Sequence, residues 1–239
     1  MPPANSIPEG YATLSVIEHG APNYNAWLGK RLRAHLGRRV LEVGAGIGTI
    51  TREILPGCEL VIALEAEELY AGQLEKAFRG DSRVRTVHSR VEDTNWAQLA
   101  TERLDSVLLS NVLEHIEDDA AAVRNFRTAL PRGGKIVILV PALPFLFGTL
   151  DTAVGHYRRY MPASLRSVIE NNGFQVEHLE WMNLLGIPGW LFNGRVLRRR
   201  IIPAGQLRIY DRITPLLARL ESMVRLPVGM SLLAVAQAV

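Results

Sequence analysis

The sequence shows no disulfide pair, no leader-like start, no bilayer-length apolar run and no excess of one charge. A single cysteine, Cys58, among 239 residues excludes an intrachain disulfide and is the usage expected in a reducing cytoplasm. The opening Met1-Pro2-Pro3-Ala4-Asn5-Ser6 has no basic segment leading into an apolar core, so no secretory signal is expected, and residues 1–10 read as proline-rich and irregular. The longest apolar run, residues 136–150, is interrupted by Pro141, Pro144 and Gly148 and is too short and broken to span a membrane. With 27 Lys and Arg against 24 Asp and Glu, the net charge of +3 gives no chain-wide affinity for DNA or RNA, so basic residues matter only by position. No internal repeat or low-complexity tail is present.

The chain is organised around residues 40–51, Val-Leu-Glu-Val-Gly-Ala-Gly-Ile-Gly-Thr-Ile-Thr. An apolar run carrying one acid, Glu42, breaks into Gly44-Ala45-Gly46-Ile47-Gly48, and a helical pattern follows from Thr49. This reads as strand, glycine turn and helix, the opening of a doubly wound α/β sheet. Positive φ angles and close backbone approach by a ligand are open to glycine and closed to a residue with a Cβ. The Gly-x-Gly-x-Gly spacing is one residue shorter than the dinucleotide fingerprint. Glu42 beside the turn would repel a pyrophosphate but suit a sulfonium amino acid. A second strand, residues 60–64, ends in Glu65, placed to accept ribose hydroxyls, with Ala66 following.

Further strands are expected at 84–88, 104–109, 135–140, 174–180 and 230–237, with helices over 24–36, 49–55, 67–78, 120–130 and 164–170. The segment Ser110-Asn111-Val112-Leu113-Glu114-His115-Ile116 follows the fourth strand, and Pro131-Arg132-Gly133-Gly134 precedes the fifth. Together with the glycine turn, these segments resemble the class I S-adenosylmethionine-dependent methyltransferases. The resemblance covers about residues 24–180 and the last strand. It implies a Rossmann-like, doubly wound seven-stranded sheet whose last strand is antiparallel, in one domain over residues 1–239. Residues 1–36 would form a helical cover. Residues 183–227 are a largely helical insertion before the last strand, expected to cover the substrate or form a dimer contact, with a membrane surface as a third use.

The resemblance also implies S-adenosylmethionine as cofactor. The residues expected to hold it are Tyr24, Glu42, Gly44, Ala45, Gly46, Gly48, Glu65, Ala66, Ser110, Asn111 and Leu113. Tyr24 and Asn25 would touch its methionine end, with packing of Tyr24 against the sheet as the equal alternative. At the adenine, relatives carry an aspartate directly after the third strand. Here Arg90 stands near that place, so Glu92 or the backbone around Val91 is expected to serve. Transfer from an activated sulfonium needs proximity, alignment and, for a hydroxyl acceptor, a base. His156 is favoured over His115 because it sits on the loop after the fifth strand, and histidine titrates near neutrality. Tyr157, Arg158, Arg159, Tyr160 and Trp190 are the candidate acceptor-binding residues.

Metal-dependent relatives use Glu-x-x-Glu-His and a later histidine. Asn111 replaces the first carboxylate here and is a poor ligand for a hard cation, so no metal is expected. The expected acceptor is a small molecule, a secondary metabolite, sugar or lipid, methylated on oxygen before nitrogen or carbon. RNA methylation and a non-catalytic, methyltransferase-like partner subunit are the alternatives; DNA is not expected, and a homodimer is one use open to the insertion.

Overall fold

A computed structural model describes residues 20–224 and 226–239. The proline-rich segment expected at 1–10, and His19, lie outside the described residues. The chain folds as β1 (Arg39–Val43), β2 (Leu60–Glu65), β3 (Val84–His88), β4 (Ser106–Ser110), β5 (Lys135–Pro141), β6 (Phe174–Met182) and β7 (Ser231–Ala238). One seven-stranded sheet has the order β3-β2-β1-β4-β5-β7-β6. Strands β1 to β5 pair in parallel, whereas β7 runs antiparallel between β5 and β6. The expected sheet and its antiparallel last strand are therefore present.

Both faces of the sheet are covered, which is why its strands read as continuous apolar runs. Leu41, Val43, Val107, Leu109, Ile136 and Ile138 enter one core, while the alternate Val40, Leu108, Val137 and Leu139 enter the other. The first core is closed by helices α4 (Trp96–Ala100), α5 (Asp119–Ala129) and α7 (Pro162–Glu170) through Trp96, Phe126 and Leu165. The second is closed by α1 (Pro22–Arg33) and α2 (Thr49–Ile54) through Leu28, Leu32 and Ile54. Helix α3 (Glu68–Ala77) places Leu74 against Ala45 and Ala63 beside the glycine turn.

Two features follow β5. A short helix, α6 (Thr149–Val154), ends on Gly155 at φ +81°, and the chain then returns beside the end of β5 through an isolated parallel bridge between Ala142 and Tyr160. Later, α8 (Gly186–Leu191) runs into a π-helical turn, Phe192–Val196, before the 20-residue α9 (Ala204–Met223). Helical segments thus occupy residues 186–196 and 204–223. Helix α9 packs on α1, where Asp211 accepts from the Asn23 side chain and the Tyr24 amide at 2.8 and 2.9 Å.

Candidate active site

The glycine turn leaves β1 at the carboxyl edge of the sheet, with Gly44, Gly46 and Gly48 all at positive φ (+67°, +59° and +89°). Close packing adds to the backbone requirement. A Cβ on Gly44 would meet Val112 Cγ2 at 2.5 Å, and one on Gly48 would meet the Phe78 ring at 2.6 Å. Gly44 thereby brings the first turn against the segment after β4, the two stretches expected to share a cofactor.

Four of the expected cofactor residues have other engagements. The Glu65 carboxylate accepts from the amides of Gly46 (2.7 Å), Ala66 (2.9 Å) and Glu67 (2.9 Å). These take three of its roughly four lone-pair directions, so it ties β2 to the glycine turn and does not stand open as a ribose acceptor. Glu42, buried at 2%, accepts from Thr51 Oγ1 at 2.6 Å. Burial pushes its pKa up to about 8, the Thr51 hydrogen bond opposes the rise, and the charge of Glu65 adds to it. The expected charge beside a sulfonium is therefore replaced by a buried, largely neutral carboxyl below the turn. Leu113 is a fully buried core side chain and offers a ligand only its backbone. Tyr24 packs its ring on Tyr210 of α9 and on Trp27, with ring centroids 6.0 and 5.7 Å apart, and hydrogen-bonds Asn183. These contacts are the packing against neighbouring elements that was the alternative to a methionine contact. Ala45 is buried within the turn; Ser110 is half-buried at the end of β4 and Asn111 exposed just after it, at φ +55°. On the adenine side, the Val91 carbonyl accepts from Trp96 Nε1 at 3.1 Å, and Glu92 is exposed beside Arg90.

A raised acid pKa means that the native state binds more protons than the unfolded chain above about pH 4.5. Glu42 therefore lowers stability progressively as pH rises towards its folded value of about 8. Glu42→Gln keeps an acceptor for Thr51 and removes that titration. Its thermal midpoint should gain on the wild type between pH 5 and pH 8 by roughly 3–10 °C, taking about 2–4 °C per kcal/mol for a domain of this size. Parallel midpoints across that range would contradict the assignment.

The side chains with reactive potential gather beyond β4 and β5. Gly155 ends α6 and turns the chain so that the Tyr157 amide donates to the Glu114 carbonyl at 2.9 Å. This brings His156 over the turn carrying Glu114 and His115. The two histidine rings meet edge to face, 4.6 Å between centroids. His156 Nδ1 lies 3.0 Å from Asp151 Oδ1, and its Nε2 lies 3.8 Å from Glu114 Oε1. Beside a carboxylate the proton belongs on Nδ1, which leaves the Nε2 lone pair directed at Glu114 and His115. His115 is exposed overall, and partial desolvation of its ring, then the neighbouring His156, push its pKa down. Glu114 is fully buried with no hydrogen-bond partner on either carboxylate oxygen, and burial pushes its pKa up to about 8.

Asp151 is the residue that sequence reading missed. Fully buried, it accepts from His156 Nδ1 and Arg159 Nε through Oδ1, and from Trp190 Nε1 and the Gly148 amide through Oδ2. Four donors fill its lone pairs and, with Arg159⁺ adjacent, hold its carboxyl below the usual range against the opposing cost of burial. Its spacing, Asp-x-x-x-x-His, on a helix opening after glycine, was the available signal.

The expected substrate residues divide. Arg159 is buried between Asp151 and the Ala142 carbonyl, its guanidinium 4.8 Å from the Trp190 ring centroid. Tyr160 is buried and donates to Asp119 Oδ2 at 2.8 Å, while Arg158 pairs with the same carboxylate at 2.8 Å. All three of these candidate acceptor-binding side chains are thus engaged within the protein. Tyr157 remains exposed, and Trp190 is half-buried and carries the insertion onto Asp151. Asp151→Asn would set an amide against several donors in a dry site. A loss of about 3 kcal/mol, seen as a fall of roughly 6–12 °C in melting temperature, is expected together with weaker catalysis. Unchanged melting would refute its role as the anchor of this loop.

Against this geometry, residues 17–179 match the methyltransferase domain family, and the chain belongs to that family. Over 101 residues it is 29% identical to the ribosomal RNA small subunit methyltransferase A of Dehalococcoides mccartyi, a match covering 42% of this chain and 34% of that protein. The chain thus spans about a third of the length of that relative. It is 28% identical over 164 residues to the ubiquinone biosynthesis O-methyltransferase of Xanthomonas axonopodis pv. citri, covering 61% of this chain and 66% of that one. The structure of an S-adenosylmethionine-dependent methyltransferase from Mesorhizobium loti superposes with a TM-score of 0.61 at 18% identity, over 92% of this chain and 99% of that one. At that identity the likeness is one of fold.

Proposed function

We propose that this enzyme methylates a hydroxyl group of a small acceptor, with His156 as general base. The observation that carries the reading is the Asp151–His156 pair, with His156 Nδ1 3.0 Å from Asp151 Oδ1 and Nε2 on the side of Glu114, in the segment following β4. With the cofactor bound along the glycine turn and the ends of β1, β2 and β4, its sulfonium supplies an activated methyl group. The positive-φ glycines of the turn, which let a ligand lie directly against the backbone, suit such a ligand. The chain's own work is to align the acceptor oxygen, exclude water and receive the hydroxyl proton on His156 Nε2 as the new oxygen–carbon bond forms. Asp151 holds the ring and stabilises its positive charge afterwards.

Two facts favour a small acceptor over RNA. The basic residues nearest the site, Arg158 and Arg159, are engaged by Asp119 and Asp151 and leave no phosphate-tracking groove there. The similarity to the quinone-pathway O-methyltransferase runs over 164 residues, that to the ribosomal RNA enzyme over 101. Incubating the protein with methyl-labelled S-adenosylmethionine and host extract should place label in the small-molecule or lipid fraction. Salt-sensitive label in RNA would refute the reading.

A second reading keeps the reaction and adds a divalent cation. Glu114, His115 and His156 each offer a ligand atom, all within 4.8 Å of one another. The unpartnered Glu114 oxygens favour it, and a carboxylate behind a ligating histidine is a common supporting arrangement. After exhaustive chelation, turnover within about twofold of the untreated enzyme is expected for the base mechanism. A loss restored by one added cation would select the second reading.

A further inference from the structure

The insertion presents a large uncovered apolar face. On α9, Ile209, Ile213, Leu216, Leu220 and Met223 are all exposed. Their spacing of four, three, four and three residues makes one straight stripe along the helix. The opposite side of α9 is the packed one, through Asp211 and Thr214. Leu191, Phe192 and Val196, at the end of α8 and in the π turn, extend the apolar surface. Between them and α9 lies an open groove of about 690 Å³ with an almost wholly apolar lining. Contiguous exposure on this scale marks an interaction surface.

Charge identifies what it meets. Arg208, Arg212 and Arg219 are exposed along one flank of the stripe, and none forms an ion pair among the described residues. Both acids of α9 are turned inward: Asp211 binds Asn23 and the Tyr24 amide, and Glu221 accepts from the Asn183 and Leu184 amides. The face therefore carries apolar side chains and positive charge with no exposed acid from α9. A second copy docked face to face with its α9 antiparallel would bring arginine rows together without carboxylates from α9 to pair them. No helix among the described residues is long and apolar enough to cross a membrane, so the face would rest on a bilayer and not enter it as a span.

We propose that the α8–α9 face docks the enzyme on a bilayer surface rich in anionic phospholipid headgroups, with the apolar stripe at the acyl boundary and the arginines at the phosphates. The same insertion anchors the reactive loop, since Trp190 Nε1 donates to Asp151 Oδ2 and Thr149 Oγ1 to the Gly194 carbonyl. Docking would thus hold the His156 cluster near the lipid phase.

The test is sedimentation of the full chain with vesicles of phosphatidylcholine alone and of phosphatidylcholine mixed with phosphatidylglycerol. Binding should require phosphatidylglycerol and weaken as salt shortens the screening length. Arg208→Gln/Arg212→Gln/Arg219→Gln should weaken it by about tenfold or more. Ile213→Ser/Leu216→Ser should remove it, while circular dichroism and the melting temperature stay near wild type because these side chains are exposed. Failure to sediment with either vesicle overturns the proposal, as does binding unchanged in both variants. Light scattering that shows a dimer dissolved by Ile213→Ser/Leu216→Ser overturns it in favour of a second copy.

Discussion

His156→Gln lowers turnover of a hydroxyl acceptor by about a hundredfold to ten-thousandfold, the range lost with a positioned general base. S-adenosylhomocysteine affinity stays within about twofold, because the ring belongs to the acceptor side of the proposed site. Glutamine keeps a hydrogen-bonding group near Asp151 but has no basic lone pair in the Nε2 position. Raising the pH should recover part of the loss, since a more ionised acceptor needs less help in losing its proton. A His115→Gln enzyme should be far less impaired. His115 lacks a carboxylate behind it, and its ring already contacts His156 edge to face. If His115→Gln were the more damaging change, the roles of the two histidines would be reversed.

Gly46→Val should abolish cofactor binding, with affinity weakened by about a hundredfold or more. Gly46 sits at φ +59°, where a β-branched residue costs roughly 1–3 kcal/mol in backbone strain alone. The methyl groups would also project from the middle of the turn, on the surface that a ligand must approach at backbone distance. Its amide is bound to Glu65 at 2.7 Å, so displacement of the turn would also disturb the end of β2. Isothermal titration with S-adenosylhomocysteine measures the effect, with the melting temperature separating a lost site from a lost fold. A folded Gly46→Val protein that binds normally would remove the glycine turn from the site.

Most of the sheet was legible because its strands are apolar runs between strong breakers. Residues 84–88 form β3 as expected, and the expected strands at 60–64, 135–140 and 230–237 differ from β2, β5 and β7 by a residue or so at their ends. Helix α6 was missed, since six residues carry too little periodicity and its ends are fixed by tertiary contacts at Gly148 and Gly155. The proximity of His115 and His156 follows from a 41-residue separation that no local pattern encodes. The engagement of Arg159 and Tyr160 was not legible because the carboxylates that engage them, Asp151 and Asp119, lie 8 and 41 residues earlier in the chain. Tyr24 was similarly claimed by α9, whose packing on α1 is a long-range event. Residue type alone does not separate the engaged side chains of residues 156–160 from the open ones; that division required the fold.

A crystal structure of the protein with S-adenosylhomocysteine tests the central claim most directly. The account predicts the ligand along the glycine turn, with the open side of its sulfur facing His156 Nε2 and Glu114. A sulfur turned away from that cluster, with Glu114, His115 and His156 walled off from it, would contradict the account.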